Sequence, residues 1–231
     1  MMRGKSAQHM SIIGTKNDWG TPQPPYDNAK KEYDVNPKLD VCASKQNKMC
    51  TKYFGHDHLV KTKRNGLTCN WDEDFYMNPP YDPEYQCNNC GAGNSFDWKF
   101  YFVKNKRESS IFLTDMVLPE KEYVRQMETK NWKPTRKKLA CKQCSAGNSH
   151  RETLHKGVAD WMKKAYSEHL NNNVNALILT FAKTDTKWWH KYVEKKAEVH
   201  FIEGRLRFLD GGKVSDYPAP YGSCFIIYRK Q

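Results

Sequence analysis

The sequence predicts an α/β fold: a mostly parallel sheet with helices on both faces, carrying a small zinc-ribbon-like insertion. Three observations lead there. The run Asn175–Phe181 is almost continuously apolar, as expected of a strand covered on both faces. Short apolar runs alternate with segments of helical spacing, which favours parallel strands joined by crossover helices. Residues 83–154 break this pattern with two Cys-x-x-Cys pairs and basic clusters, so they split the main domain into 1–82 and 155–231.

The elements follow in order. Residues 1–17 are polar and read as loose. Residues 18–33 carry turn signals at Gly20, Pro22, Pro24 and Pro25, then a short helix ending near Tyr33. Leu39–Ala43 reads as a buried strand. Ser44 can N-cap a helix running to Cys50. Lys52–Phe54 and Phe75–Met77 are further strands. Past the insertion, Val158, Trp161, Met162, Ala165 and Tyr166 recur at helical spacing toward Leu170. Lys187–Lys196 reads as a helix with Trp188, Trp189, Tyr192 and Val193 inward. The stretches EVHFIEG, RLRFL and SCFIIYRK read as closing strands.

The 231 residues carry a net charge of +12, with clusters at Lys61–Arg64, Lys104–Arg107 and Arg136–Lys138. Such an excess favours a polyanionic partner, because phosphate contacts supply most non-specific nucleic-acid affinity. No stretch approaches the ~18–20 apolar residues of a membrane span. Met1–Ile13 has no apolar run and does not read as a secretory signal. An intracellular, cytoplasmic setting is expected, with the eight cysteines reduced or metal-bound.

The stretch FYMNPPYD ends a strand on a rigid corner. In open α/β sheets, ligands bind beyond the carboxyl ends of strands. The Asn78 side-chain oxygen and the Pro79 carbonyl, its direction restricted by Pro80, can accept from the two N–H groups of an exocyclic amine. Tyr81 offers a face for a planar base, a stack worth roughly 1–3 kcal/mol. The corner is therefore suited to an amino-substituted heteroaromatic ring.

The phrases CNNCGAGNS and CKQCSAGNS repeat one another. Cys87, Cys90, Cys141 and Cys144 form two knuckles able to hold one zinc in a four-thiolate site, with no position left open for catalysis. A small β-rich subdomain including WKFYFV and SSIFLT is expected around them. The insertion has too little core to fold without metal. Cys42, Cys50, Cys69 and Cys224 read as packing residues, and His56 and His58 as exposed loop histidines.

The Asn-Pro-Pro-Tyr motif resembles that of S-adenosylmethionine-dependent amino methyltransferases. Its surroundings sharpen the likeness. DWGTPQ, LDVCASKQNKMCTKYF, FYMNPPY, ALILTFAKTDTKWWHKYV and FIEGRLRF, in this order, resemble the phage-type DNA N6-adenine methyltransferase (Dam-like) family. The resemblance implies a Rossmann-like SAM-dependent methyltransferase domain, with Asn78, Pro79, Pro80 and Tyr81 catalytic. It implies cofactor contacts from Trp19, Thr21, Pro22, Asp40, Cys42, Ala43 and Asn78, and it suggests a phage-encoded enzyme working in a bacterial cytoplasm. Asp57, ~17 residues after Asp40, falls near the place of a ribose-binding acid. Asn65 stands where the family's DGL would put an acid. The loop DVCASKQNK has no glycine, which argues against a pyrophosphate cofactor more than against S-adenosylmethionine.

DNA is the expected partner, with Lys104, Lys106, Arg107, Arg136, Lys137 and Lys138 of the insertion as contacts. Arg205 is a further candidate, with Arg207 beside it. The implied reaction is methyl transfer to adenine N6 of a flipped base. Cytosine N4, RNA, a protein glutamine, or a catalytically inactive zinc-ribbon DNA-binding protein stay open as alternatives.

Overall fold

The structure is a computed structural model describing residues 19–90, 96–102, 134–141, 143, 144, 147, 149, 151–155 and 157–231. Contacts divide the chain into two units, Met1–Pro83 with Lys156–Gln231, and Glu84–His155.

The first unit is built on a six-stranded sheet. In chain order its strands are β2 (Leu39–Asp40), β3 (Lys52–Tyr53), β4 (Phe75–Met77), β9 (Ala176–Phe181), β10 (Glu198–Phe201) and β13 (Ser223–Tyr228). Their spatial order is β10-β13-β9-β4-β2-β3. The pairs β2/β3, β2/β4 and β4/β9 are parallel. Strand β13 runs antiparallel to both β9 and β10, so it alone is reversed. The fold is Rossmann-like, as the sequence predicts, with one reversed strand among parallel ones.

Alternation along the strands sorts the core into two layers. On one face Phe75, Met77, Ala176, Ile178, Ile226 and Tyr228 pack with Trp161, Met162 and Ala165 of α2 (Val158–Asn172) and with Trp188, Trp189 and Val193 at α3 (Lys187–Tyr192). On the other, Tyr76, Leu177, Leu179, Phe225 and Ile227 pack with Tyr26 and Ala29 of α1 (Gln23–Glu32). Trp71 is fully buried between Phe75 and Trp161. Its indole N–H donates to the Gly66 carbonyl at 2.9 Å, and its backbone N–H to Glu168 at 2.8 Å.

Three expectations are corrected. Ser44–Cys50 forms turns and no helix. Side chains take the local backbone donors: Asn47 accepts from the Ser44 N–H at 2.6 Å, and Asp40 accepts from the Met49 N–H at 2.9 Å. RLRFL is not a strand over its length; only Leu209 joins one, in β11 (Leu209–Asp210). That strand lies between β1 (Trp19–Gly20) and β12 (Lys213–Val214) in a small separate sheet. Helix α3 stops at Tyr192, short of Lys196.

The second unit contains two ribbons. Strand β5 (Glu84–Cys87) pairs antiparallel with β8 (Arg151–His155), and β6 (Phe96–Phe102) with β7 (Pro134–Cys141). The WKFYFV segment supplies β6, and SSIFLT lies outside the described residues.

Candidate active site

The order of strands locates the site. From β2 the chain steps outward to β3, then returns to place β4 on the other side of β2. A crevice opens where the winding direction changes, beyond the carboxyl ends of the two diverging strands. A small cavity lies there, lined by Trp19, Gly20, Thr21, Asp40, Cys42, Ala43, Asn47, Tyr76 and Asn78.

Six of the residues expected to touch cofactor thus line one cavity: Trp19, Thr21, Asp40, Cys42, Ala43 and Asn78. Pro22 sits beside them as the N-cap of α1. Asp57 is not among the lining residues. It is exposed, and its carboxylate accepts from the Lys45 N–H at 2.8 Å. Gly20, Asn47 and Tyr76 were not foreseen. Asn47 and Tyr76 had visible signals, a polar residue in the loop after β2 and a phenol next to the corner.

Asp40 ends β2 almost completely buried. Its carboxyl accepts from the Met49 N–H and, at 3.4 Å, from the Cys42 N–H. Burial raises its pKa to about 7 against these bonds. Among the described residues no ion pair neutralises it. A buried acid on a crevice wall, without a cation of its own, fits a ligand that brings positive charge.

Opposite stands the corner. The Asn78 amide N–H donates to the Trp19 carbonyl at 2.8 Å. A carbonyl only accepts, so the Asn78 nitrogen is fixed there and Oδ1 faces the other way. Tyr81 Oη donates to that Oδ1 at 3.2 Å, which leaves a second lone pair available. The Cys42 thiol, pushed well up by burial and kept protonated, donates to the Asn78 backbone carbonyl at 3.2 Å. Tyr76 and Thr21 share a hydrogen bond of 2.6 Å behind the corner. The Tyr81 ring stacks on Phe181 at 3.9 Å and 11°, which covers one of its faces. A small aromatic cavity adjoins, lined by Trp19, Phe181, Phe208, Tyr217 and others.

In the second unit, the sulfurs of Cys87, Cys90, Cys141 and Cys144 all lie within 4.8 Å of one another. Cys87–Cys144 is 3.6 Å and Cys90–Cys141 is 3.7 Å. Four sulfurs around one zinc at about 2.3 Å would stand about 3.8 Å apart. Each knuckle begins where a strand ends, at Cys87 of β5 and Cys141 of β7. The donor set and its spacing fit a structural zinc.

Of the basic candidates, Arg136, Lys137 and Lys138 lie on β7, whereas Lys104, Lys106 and Arg107 lie outside the described residues. Arg205 is exposed. Arg207 donates to the Ser215 and Asp216 carbonyls, so it braces its own loop. Asn65 caps the turn Gly66–Thr68 through the Leu67 N–H, a task an acid could also perform. Cys50 and Cys224 are buried. His56 is exposed; His58 is half-buried and accepts from the Val60 N–H.

The loops leaving β2 and β3 carry Lys45, Lys48, Lys61, Lys63 and Arg64, all exposed, against Asp57 alone. The connection entering β4 from the opposite edge carries Asp72, Glu73 and Asp74. Positive charge therefore gathers on the edge that holds the crevice.

The crevice carries no glycine-rich phosphate turn, and the Asn78 corner stands on its rim. The family model described as DNA N-6-adenine-methyltransferase (Dam) matches residues 11–110, the stretch that supplies both. Over these residues the chain is similar to the Dam family of DNA adenine N6-methyltransferases. No curated protein matches the chain. Among the described residues, no helix is long and apolar enough to cross a membrane.

Proposed function

We propose that the crevice between β2 and β4 holds S-adenosylmethionine and that Asn78–Tyr81 presents a flipped adenine to it. The observation that supports this reading most is the meeting of Asp40, Cys42 and Ala43 with Asn78 and Trp19 around one cavity. When bound, S-adenosylmethionine supplies a methyl group on a positively charged sulfur. Asp40 faces the crevice as the anion that balances such charge. Trp19 and Thr21 close the side formed by the N-terminal segment.

The corner then acts on the base. Asn78 Oδ1, held by the Trp19 carbonyl through its own amide, accepts one N–H of the exocyclic amine. The Pro79 carbonyl accepts the other. The amine lone pair is localised and aimed at the crevice. Tyr81, backed on one face by Phe181, is the ring against which the base stacks. The surplus proton leaves to solvent, and no protein nucleophile is needed.

We assign to Cys87, Cys90, Cys141 and Cys144 a structural zinc, and to the 83–154 insertion a DNA-contacting role through Lys104, Lys106, Arg107, Arg136, Lys137 and Lys138. Arg205 extends the basic surface of the first unit.

Radiolabelled methyl transfer to DNA, RNA and protein, with nucleosides of the product identified by mass spectrometry, tests the reading. N6-methyladenine from DNA is expected. Asn78→Ala should lower kcat by about 100-fold or more, as loss of a preorganised acceptor does. N4-methylcytosine, or label on RNA or protein alone, would contradict it.

A further inference from the structure

Beyond the crevice, one surface feature has no part in the catalytic reading. After β3 the chain makes a closed loop, Gly55–Arg64, whose ends meet through the Gly55 N–H and the Lys63 carbonyl at 3.0 Å. The loop is braced from within. The His58 N–H donates to Gly55, the Val60 N–H to His58 Nδ1, and Arg64 Nε to the His58 carbonyl at 2.9 Å. It is also tied to the crevice wall. Asp57 accepts from the Lys45 N–H, and the Ala43 N–H donates to the Phe54 carbonyl at 2.9 Å. Yet this well-braced loop holds Leu59 94% exposed, followed by Val60 at 49%. Lys61, Lys63 and Arg64 follow, also exposed.

We infer that Gly55–Arg64 is a duplex-DNA contact in which Leu59 wedges into the base stack while Lys61, Lys63 and Arg64 meet the phosphates. The chemistry suits that partner. Apolar side chains inserted between base steps unstack and open a duplex, and the cations beside them neutralise the backbone. An enzyme acting on a paired base must meet the cost of unpairing it. A rigid apolar tip on the edge that carries the crevice can meet part of it. The loop has the closed ends of compact functional surface loops. The inference rests on the DNA-methylating reading and adds to it a strand-opening residue outside the Asn78–Tyr81 corner.

The test compares unmethylated duplex DNA with the same DNA heat-denatured, using radiolabelled S-adenosylmethionine. Leu59→Ala and Leu59→Gln should each lose about tenfold or more of kcat/KM on duplex, in keeping with a leucine's burial, and keep the wild-type rate on denatured DNA. Their thermal melts should match wild type, because the side chain is exposed. Lys61→Ala/Lys63→Ala should weaken duplex binding in a mobility-shift titration and reduce its salt dependence by about one phosphate contact per cation. Wild-type rates on duplex for both Leu59 variants, or equal losses on both substrates, would overturn the inference. A wild-type enzyme that methylates neither DNA would instead overturn the reading beneath it.

Discussion

Asp40 shows how one residue is shaped by its place. A carboxyl buried at a strand end, held by two backbone N–H groups, keeps its proton to about pH 7. Its folded pKa lies above its ordinary value, so the folded chain binds the extra proton between roughly pH 4 and 7. The ligand-free protein should therefore lose stability as pH rises through that window, by at most about 1.4 kcal/mol per unit. Melts of wild type and Asp40→Asn from pH 4.5 to 8 check this; the variant should show a flatter profile. A cationic cofactor favours the ionised form, so its binding should release a proton near neutral pH, measurable as a buffer-dependent binding enthalpy. Trp71 belongs to the same scale. It is fully buried with both N–H groups satisfied, and Trp71→Ala should cost about 3–5 kcal/mol in a denaturant titration.

At the scale of elements, the join between corner and helix is the sensitive point. Gly157 precedes α2 at φ +70°, and a Cβ there would sit 2.4 Å from the Tyr81 carbonyl oxygen. Gly157→Ala should destabilise the protein by roughly 1–3 kcal/mol and reduce methyl transfer by displacing Tyr81; a wild-type melt and rate would contradict this. Elements of this kind differ in how far the sequence reveals them. Strands β4, β9 and β13 are legible because apolar runs of that length have few other homes. The direction of β13 is not, because an apolar run carries no polarity; only its pairing with β9 sets it. Strands β1, β11 and β12 are two residues long, too short for any periodicity. The helix expected after Ser44 fails because Asn47 and Asp40 draw off its backbone donors, a competition that needs the tertiary fold to appear. The site followed the same division. Asn78 could be read from its motif at a strand end, and Asp40, Cys42 and Ala43 from the family resemblance. Gly20 enters only through the folding of the N-terminal segment across the crevice.

For the whole molecule, the two units are described by different features. The first has a continuous two-layer core. In the second, Cys87 and Cys141 are buried and both belong to the four-thiolate cluster, which would bind its two ribbons through one metal. One zinc per chain is expected by elemental analysis, and Cys90→Ser should lose it together with protease resistance in Glu84–His155. Metal-free protein with that region still resistant would exclude the structural role. The central claim concerns the first unit: the switch point between β2 and β4 is where methyl donor and target amine meet. A crystal structure with a non-reactive analogue of S-adenosylmethionine tests it most directly. The account predicts the analogue between Asp40 and Trp19, with its methyl-donor position facing Asn78. An analogue seated outside this crevice, or turned away from Asn78, would contradict it.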